Sequence, residues 1–90
     1  MARTGQPATR QVAVVQRAVT ILGELADART ELGTNEIARR TGINVSTISR
    51  ILATLVSGGL VEYVAATGRY RLGLGVVRLA SAVHERLDIR

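Results

Sequence analysis

The sequence predicts a mainly α-helical fold of the winged helix-turn-helix type, in which three helices are followed by a β-hairpin wing and a further helix. Apolar residues recur at helical spacing in four segments, and two short β-prone runs lie between the last two. A glycine separates the second and third helical segments, where crossing helices need a left-handed turn. The expected organisation is a flexible tail over residues 1–11, the winged domain over 12–73 and a further helical segment over 74–90.

The first helix is expected from about Val12 to Ala28, because its apolar residues repeat every three or four positions. Its predicted inward face consists of Val15, Ala18, Val19, Leu22, Leu25 and Ala26, with Ile21 beside them. Leu32 is a candidate for a very short strand. The second helix is expected to start with Thr34 as its N-cap and to end at Gly42.

The third helix is expected to follow an Asn44 cap and to run to about Ser57. Its inward stripe is predicted to be Ile48, Ile51, Leu52 and Leu55. A small residue, Ala38, suits a close helix crossing, and Gly42 followed by Ile43 suits the tight turn. This combination favours a helix-turn-helix over the alternative, a generic helical hairpin in another small fold.

The wing is predicted from two runs, Leu60 to Val64 and Arg69 to Leu72, joined by a turn that contains Gly68. The last segment, from about Leu74 to Leu87, is again helical. Its apolar stripe consists of Val76, Leu79, Ala80, Val83 and Leu87.

Composition favours double-stranded DNA as the partner. The 90-residue chain has a net charge of +5, and its twelve basic residues are all arginine, whose forked guanidinium matches phosphates and guanine edges. Tyr63 and Tyr70 are the only aromatic residues, too few for the stacking platforms that bind single strands. The absence of cysteine, signal peptide and apolar membrane span fits a cytoplasmic protein.

The third helix, over about residues 45–57, carries the predicted base-contacting face. With its apolar stripe turned inward, its other face bears short polar groups and one long cation, which suits a major groove about 12 Å wide. The residues assigned to base contact are Val45, Ser46, Thr47, Ser49 and Arg50. Solvated helix faces usually carry long charged groups, so this composition favours recognition over an ordinary exposed surface.

The wing, over residues 61–72, is predicted to lie along the DNA backbone or minor groove. Arg69 and Arg71 share one face of its second strand and are assigned to phosphate contact. The alternative is that they are surface charges that discourage edge-to-edge aggregation. Thr34 and Arg40 on the second helix are further phosphate candidates, with a purely solvated role left open.

By these motifs, in this order, the chain resembles the IclR family. The matching segments are Val15-Gln16-Arg17-Ala18-Val19 with Ile21-Leu22, Gly42-Ile43, Ser46-Thr47, Arg50-Ile51-Leu52-Ala53-Thr54-Leu55, Gly59-Leu60-Val61 and Tyr70-Arg71-Leu72-Gly73. The resemblance covers nearly all of residues 12–90. It implies the DNA-binding part of a dimeric bacterial repressor or activator, whose effector-binding domain is absent from this chain.

The resemblance also implies roles for individual residues. Ser46, Thr47, Ser49 and Arg50 match the base-facing stretch, and Arg17 matches an arginine of the first helix, here assigned to the backbone. Many members have proline in place of Asn44 and a basic residue in place of Val45. This chain lacks the phosphate or base contact that such a basic residue would make, so Arg50 is expected to make the main charged contact from this helix.

The resemblance further implies that residues 74–90 form a linker or dimerisation helix. The last helix would pair subunits through Val76, Leu79, Ala80 and Val83. The alternative is that this stripe packs on the first helix of the same chain, and the two arrangements are compatible. The implied partners are a near-palindromic duplex and a second copy, with a small-molecule effector bound only by the absent domain.

Three other classes of function are less consistent with the sequence. A winged helix used only for protein contacts would carry apolar anchors or mixed charges on its exposed third helix. Ser46, Ser49 and Ala53 stand there instead, and they do not resemble binding hot spots, which favour Trp, Tyr and Arg. A catalytic site, metal site or cofactor is not indicated, because His84 is the sole histidine and no phosphate-binding loop or carboxylate pair occurs. Asp27, Glu31 and Glu36 are explained by helix ends. No helix has the arginine-rich face opposite Trp or Phe that a membrane binder needs.

Overall fold

A computed structural model describes residues 11–87 of the chain. The element order over this range is α1 (Ala13–Ala28), α2 (Thr34–Thr41), α3 (Val45–Ser57), β1 (Val61–Val64), β2 (Arg69–Leu72) and α4 (Gly75–Leu87). This order confirms the predicted winged helix-turn-helix with a further helix after the wing. The predicted tail, apart from Gln11, and residues 88–90 of the predicted linker segment lie outside the described range. No helix within residues 11–87 is long and apolar enough to cross a membrane.

The inward face of α1 differs from the predicted one. Ile21 and Leu25 are buried, whereas Val15 and Val19 are 59% and 63% exposed. Ala26 is also exposed, while Ala18 and Leu22 are half-buried. The reason is that the core touches mainly the C-terminal half of α1, and an open groove separates its N-terminal half from α3.

The prediction that Thr34 caps α2 is wrong, because Gly33 occupies the N-cap and Thr34 is the first helical residue. The Glu36 carboxylate accepts a hydrogen bond from the Gly33 amide at 3.0 Å and so satisfies the start of the helix without a threonine cap. The other end of α2 is as predicted. Gly42 has a φ of 74°, and its amide donates to the Ala38 carbonyl at 2.9 Å.

The predicted cap and stripe of α3 are confirmed. The Asn44 side chain accepts a hydrogen bond from the Thr47 amide at 2.9 Å. The predicted stripe faces inward, with Leu55 half-buried and the others buried. Together with residues from its neighbours it forms one core, made of Ile21, Leu25, Leu32, Ile37, Ile48, Ile51, Leu52 and Val61. Burial of each such side chain contributes about 1.5–3 kcal/mol, so this core holds α1, α2, α3 and β1 in a fixed arrangement.

The wing is an antiparallel hairpin in which Glu62 pairs with Arg71 and Val64 with Arg69. β1 begins at Val61, one residue after the predicted start. The predicted short strand at Leu32 is confirmed as a bridge to Tyr70, through backbone hydrogen bonds of 2.9 and 2.8 Å. β2 therefore lies between β1 and the loop before α2.

The start of α4 is held against the turn that follows α3. The Gly73 amide donates to the Leu60 carbonyl at 2.8 Å, and the Gly75 amide donates to the Gly59 carbonyl at 2.9 Å. A Cβ at Gly73 or Gly75 would lie 2.5 or 2.6 Å from the Gly59 oxygen. Only glycine allows this close backbone approach.

Candidate nucleic-acid interface

The N-terminal part of α3 presents the predicted base-contacting residues on one surface. Its buried face fixes the rotation of the helix, so the opposite side chains face solvent. Val45, Ser46, Ser49 and Arg50 are exposed, whereas Thr47 is half-buried. The structure thus brings this predicted set together around the first two turns of α3.

Arg50 is the only charged residue of α3, so the helix carries one positive charge and no carboxylate. Within residues 11–87, Arg50 forms no ion pair. A groove of about 460 Å³ between α1 and α3 places Arg17 beside Thr47, Arg50 and Thr54. Arg17 likewise has no carboxylate partner within the described range, so two guanidinium groups are available at one edge of the α3 face.

The two phosphate candidates on α2 lie at its opposite ends. Thr34 is half-buried in the first turn. Arg40 lies in the last turn, and its guanidinium is 3.4 Å from the Glu24 carboxylate of α1. An exposed pair of this kind contributes little to stability and leaves Arg40 able to exchange partners.

The wing arginines are surrounded by carboxylates. Arg69 lies 3.5 Å from Glu36. Arg71 donates through Nε to Glu62 at 2.7 Å and places Nη1 3.8 Å from Glu31. Both side chains remain about half exposed, so a phosphate can reach them only in competition with these carboxylates.

Two pKa shifts accompany these contacts. The hydrogen bond from the Gly33 amide lowers the pKa of Glu36, and the nearby Arg69 lowers it further. The hydrogen bond to Glu62 raises the pKa of Arg71, which keeps this guanidinium charged at any pH of interest. Both shifts favour the charged forms of Glu36 and Arg71.

The predicted dimerisation stripe is largely uncovered within the described part of the chain. No residue of α4 is buried, Leu79 and Val83 are 54% and 44% exposed, and only Val76 in this set is half-buried. Val15 and Val19 on α1 are also uncovered. Over residues 11–87, the stripe therefore has no extensive intrachain partner.

The described residues contain no cluster of three or more His, Cys, Asp or Glu side chains that could hold a metal ion. Glu31, Glu36 and Glu62 are the contacts that the sequence interpretation missed, since it assigned the first two to helix ends. The Glu62–Arg71 pair follows from the hairpin register and could have been found from the sequence. The contacts of Glu31 and Glu36 with the wing join residues more than 30 positions apart, and no sequence pattern indicates them.

Comparison with known proteins places this geometry in a family. Residues 14–65 match the model of the IclR helix-turn-helix domain. The chain is 38% identical over 79 residues to the glycerol operon regulatory protein of Streptomyces coelicolor, covering 84% of this chain and 31% of that protein. It is 34% identical over 76 residues to the HTH-type transcriptional regulator XynR of Escherichia coli, covering 84% of this chain and 30% of that protein.

A solved structure has the same fold. The IclR transcriptional regulator from Alicyclobacillus acidocaldarius matches with a TM-score of 0.79 and 32% identity, over 82% of this chain and 30% of that one. The chain thus spans about a third of the length of the relatives it matches. These relatives are regulators, in agreement with the prediction of a non-enzymatic role.

Proposed function

The chain belongs to the IclR helix-turn-helix family, and from this premise we propose that it binds double-stranded DNA sequence-specifically as the DNA-binding part of a transcriptional regulator. The single observation that carries the proposal is the exposed face of α3. This face has short polar side chains, one guanidinium and no carboxylate, on a helix anchored by three buried residues. Such a face allows close approach to base edges without repulsion from phosphates.

In this proposal α3 lies in the major groove, with its first two turns against the bases. The base-contacting residues are Val45, Ser46, Thr47, Ser49 and Arg50. Arg50 is the side chain best suited to a bidentate bond with guanine, and exposed Val45 suits a thymine methyl group. The serine and threonine hydroxyls both donate and accept, so they support several base pairs.

Backbone contacts would come from the elements around α3. Arg17 lies beside Arg50 and needs to break no ion pair within residues 11–87. Thr34 and Arg40 would contact phosphates from α2, and Arg69 and Arg71 from the wing along the backbone or minor groove. Arg40 and the two wing arginines must first exchange a carboxylate for a phosphate.

A second copy of the chain is the proposed protein partner. Pairing through Val76, Leu79, Ala80 and Val83 would cover the exposed stripe of α4 and place two α3 helices on a near-palindromic site. A small-molecule effector would bind outside this domain, and the whole regulator would act in the cytoplasm, as either repressor or activator.

Binding to a pool of duplexes tests the proposal. Selection from the pool, followed by fluorescence anisotropy, should yield a preferred near-palindromic site with half-sites about one helical turn or a multiple apart. Arg50→Ala should weaken binding to that site by about 1–3 kcal/mol and relax the preference for the base it contacts. Arg86→Ala on the last turn of α4 is the matched control and should retain the preference.

The opposite result has a clear meaning. If the chain binds all duplexes equally and only at low salt, its surface is merely basic and the proposed specificity fails. In that event the α3 face would be better explained as a protein-binding surface, which is the remaining role for this fold.

A further inference from the structure

The wing is tied to the rest of the domain through one face of β2. Arg71 lies in the middle of a three-stranded arrangement, with Glu62 on β1 to one side and Glu31, next to the Leu32 bridge, on the other. Thr67 at the wing tip donates to the same Glu31 at 2.7 Å. Glu31 therefore holds both the tip and the second strand of the wing.

The guanidinium groups on this face of the wing are already paired with carboxylates. Three carboxylates, those of Glu31, Glu36 and Glu62, face two guanidinium groups, those of Arg69 and Arg71. Arg29 lines the same surface as Glu31 and Arg71, and Arg39 and Arg40 lie near Glu36. The obstacle to a phosphate is therefore the pairing of each wing guanidinium and not a net negative charge. A phosphate that approaches the wing meets repulsion unless a carboxylate moves away.

The two carboxylates beside Arg71 occupy different edges of its guanidinium. Glu62 accepts from Nε at 2.7 Å, and Glu31 lies 3.8 Å from Nη1. Bidentate binding of a phosphate needs two adjacent N–H groups on one edge. Each edge already has one nitrogen directed at a carboxylate, so a forked phosphate contact requires an exchange.

Glu62 is the carboxylate whose exchange costs the fold least. Its side chain is 53% exposed, against 23% for Glu31, and Arg71 is its only side-chain partner among residues 11–87. Exposed ion pairs of this type are weak, so Glu62 can leave Arg71 without disturbing the wing.

We propose that Glu62 limits the DNA affinity of the wing by competing with phosphate for Arg71, an inference that rests on the proposed function. Glu62 is thus a positioning residue that acts through Arg71. Because the competition affects only a sequence-independent contact, Glu62 raises the share of the binding energy that comes from α3. Its removal increases affinity for every duplex and reduces discrimination between a preferred site and others.

The test compares Glu62→Gln with Asp27→Asn in the full chain. Both substitutions remove one negative charge, and Asp27 is exposed on α1 with no ion pair in the described range. Binding to a fluorescein-labelled duplex of mixed sequence is measured by anisotropy between about 50 and 200 mM salt. Glu62→Gln should bind about two- to fivefold more tightly at the lower salt concentration. The slope of log affinity against log salt concentration should become more negative by about 0.9 for each wing that gains a phosphate contact.

The decisive comparison tests Glu62→Gln in a chain that already carries Arg71→Ala. Glu62→Gln should give no gain in affinity when Arg71 is absent, because there is no guanidinium to release. A gain that persists there, or an equal gain from Asp27→Asn, would show a general charge effect and overturn the inference.

The unaltered chain separates the two proposals. If it binds a selected site with salt dependence while Glu62→Gln behaves as Asp27→Asn does, the competition is refuted and the proposed function stands. If it binds no duplex even at low salt, both are refuted.

Discussion

Alanine at Gly73 and alanine at Gly42 are expected to destabilise the domain for two different physical reasons. At Gly73 the new Cβ would lie 2.5 Å from the carbonyl oxygen of Gly59 and 3.2 Å from its carbonyl carbon. These are backbone atoms, so the end of β2 must move away from the turn after α3. At Gly42 no atom lies within 4 Å of the added Cβ, but the φ of 74° is unfavourable for a side chain.

The magnitudes follow from these geometries. Gly42→Ala should cost about 1–2 kcal/mol of left-handed backbone strain. Gly73→Ala should cost about 1–3 kcal/mol of overpacking. It should also weaken the hydrogen bonds from Gly73 to Leu60 and from Gly75 to Gly59, each worth about 1 kcal/mol. A total of about 2–4 kcal/mol lowers the Tm of a domain this small by about 10–30 °C.

Denaturant unfolding followed by circular dichroism measures both variants. Asparagine is the diagnostic substitution, because it tolerates left-handed φ but adds a Cβ like any other residue. Gly42→Asn should be more stable than Gly42→Ala, whereas Gly73→Asn should be at least as unstable as Gly73→Ala. A Gly73→Ala variant within about 0.5 kcal/mol of the original chain would refute the close-approach argument.

The remaining predictions concern the core, the proposed dimer and acid stability. Ile48→Ala removes a fully buried side chain from α3 and should cost about 2–5 kcal/mol in denaturant unfolding, and a cost near zero would contradict the core assignment. If the chain pairs as proposed, Leu79→Asp should convert the dimer to monomers in light scattering without loss of helicity; an unchanged mass would refute pairing through α4. The pKa of Glu36 is lowered in the folded state, so its stabilising contribution is present above the ordinary value of about 4.3 and is lost as pH falls through the folded value. Glu36→Gln should therefore be less stable at pH 7 and show a weaker acid dependence of Tm, and parallel pH profiles would contradict the role of the Gly33 and Arg69 contacts.

The sequence alone was sufficient wherever the decisive interactions are local. The stripe of α3 and the Asn44 cap depend on residues three or four positions apart, and the turn at Gly42 depends on the conformational freedom of one residue. The same local character makes the exposed face of α3 predictable, because the buried stripe leaves the opposite face open to solvent. The hairpin and its Gly68 turn were predictable for the same reason.

The tertiary structure decided what covers each face and which charges meet. Periodicity correctly indicated that α1 has an apolar face, but only chain packing determined that Ile21 and Leu25 enter the core while Val15 and Val19 remain exposed. Glu31 and Glu36 resembled ordinary helix-end residues until folding brought β2 beside them and gave the wing arginines carboxylate partners. A helix pattern specifies the direction of a side chain relative to its own axis. Which residue that side chain then contacts depends on neighbours that are distant in sequence, and only the folded chain brings these together.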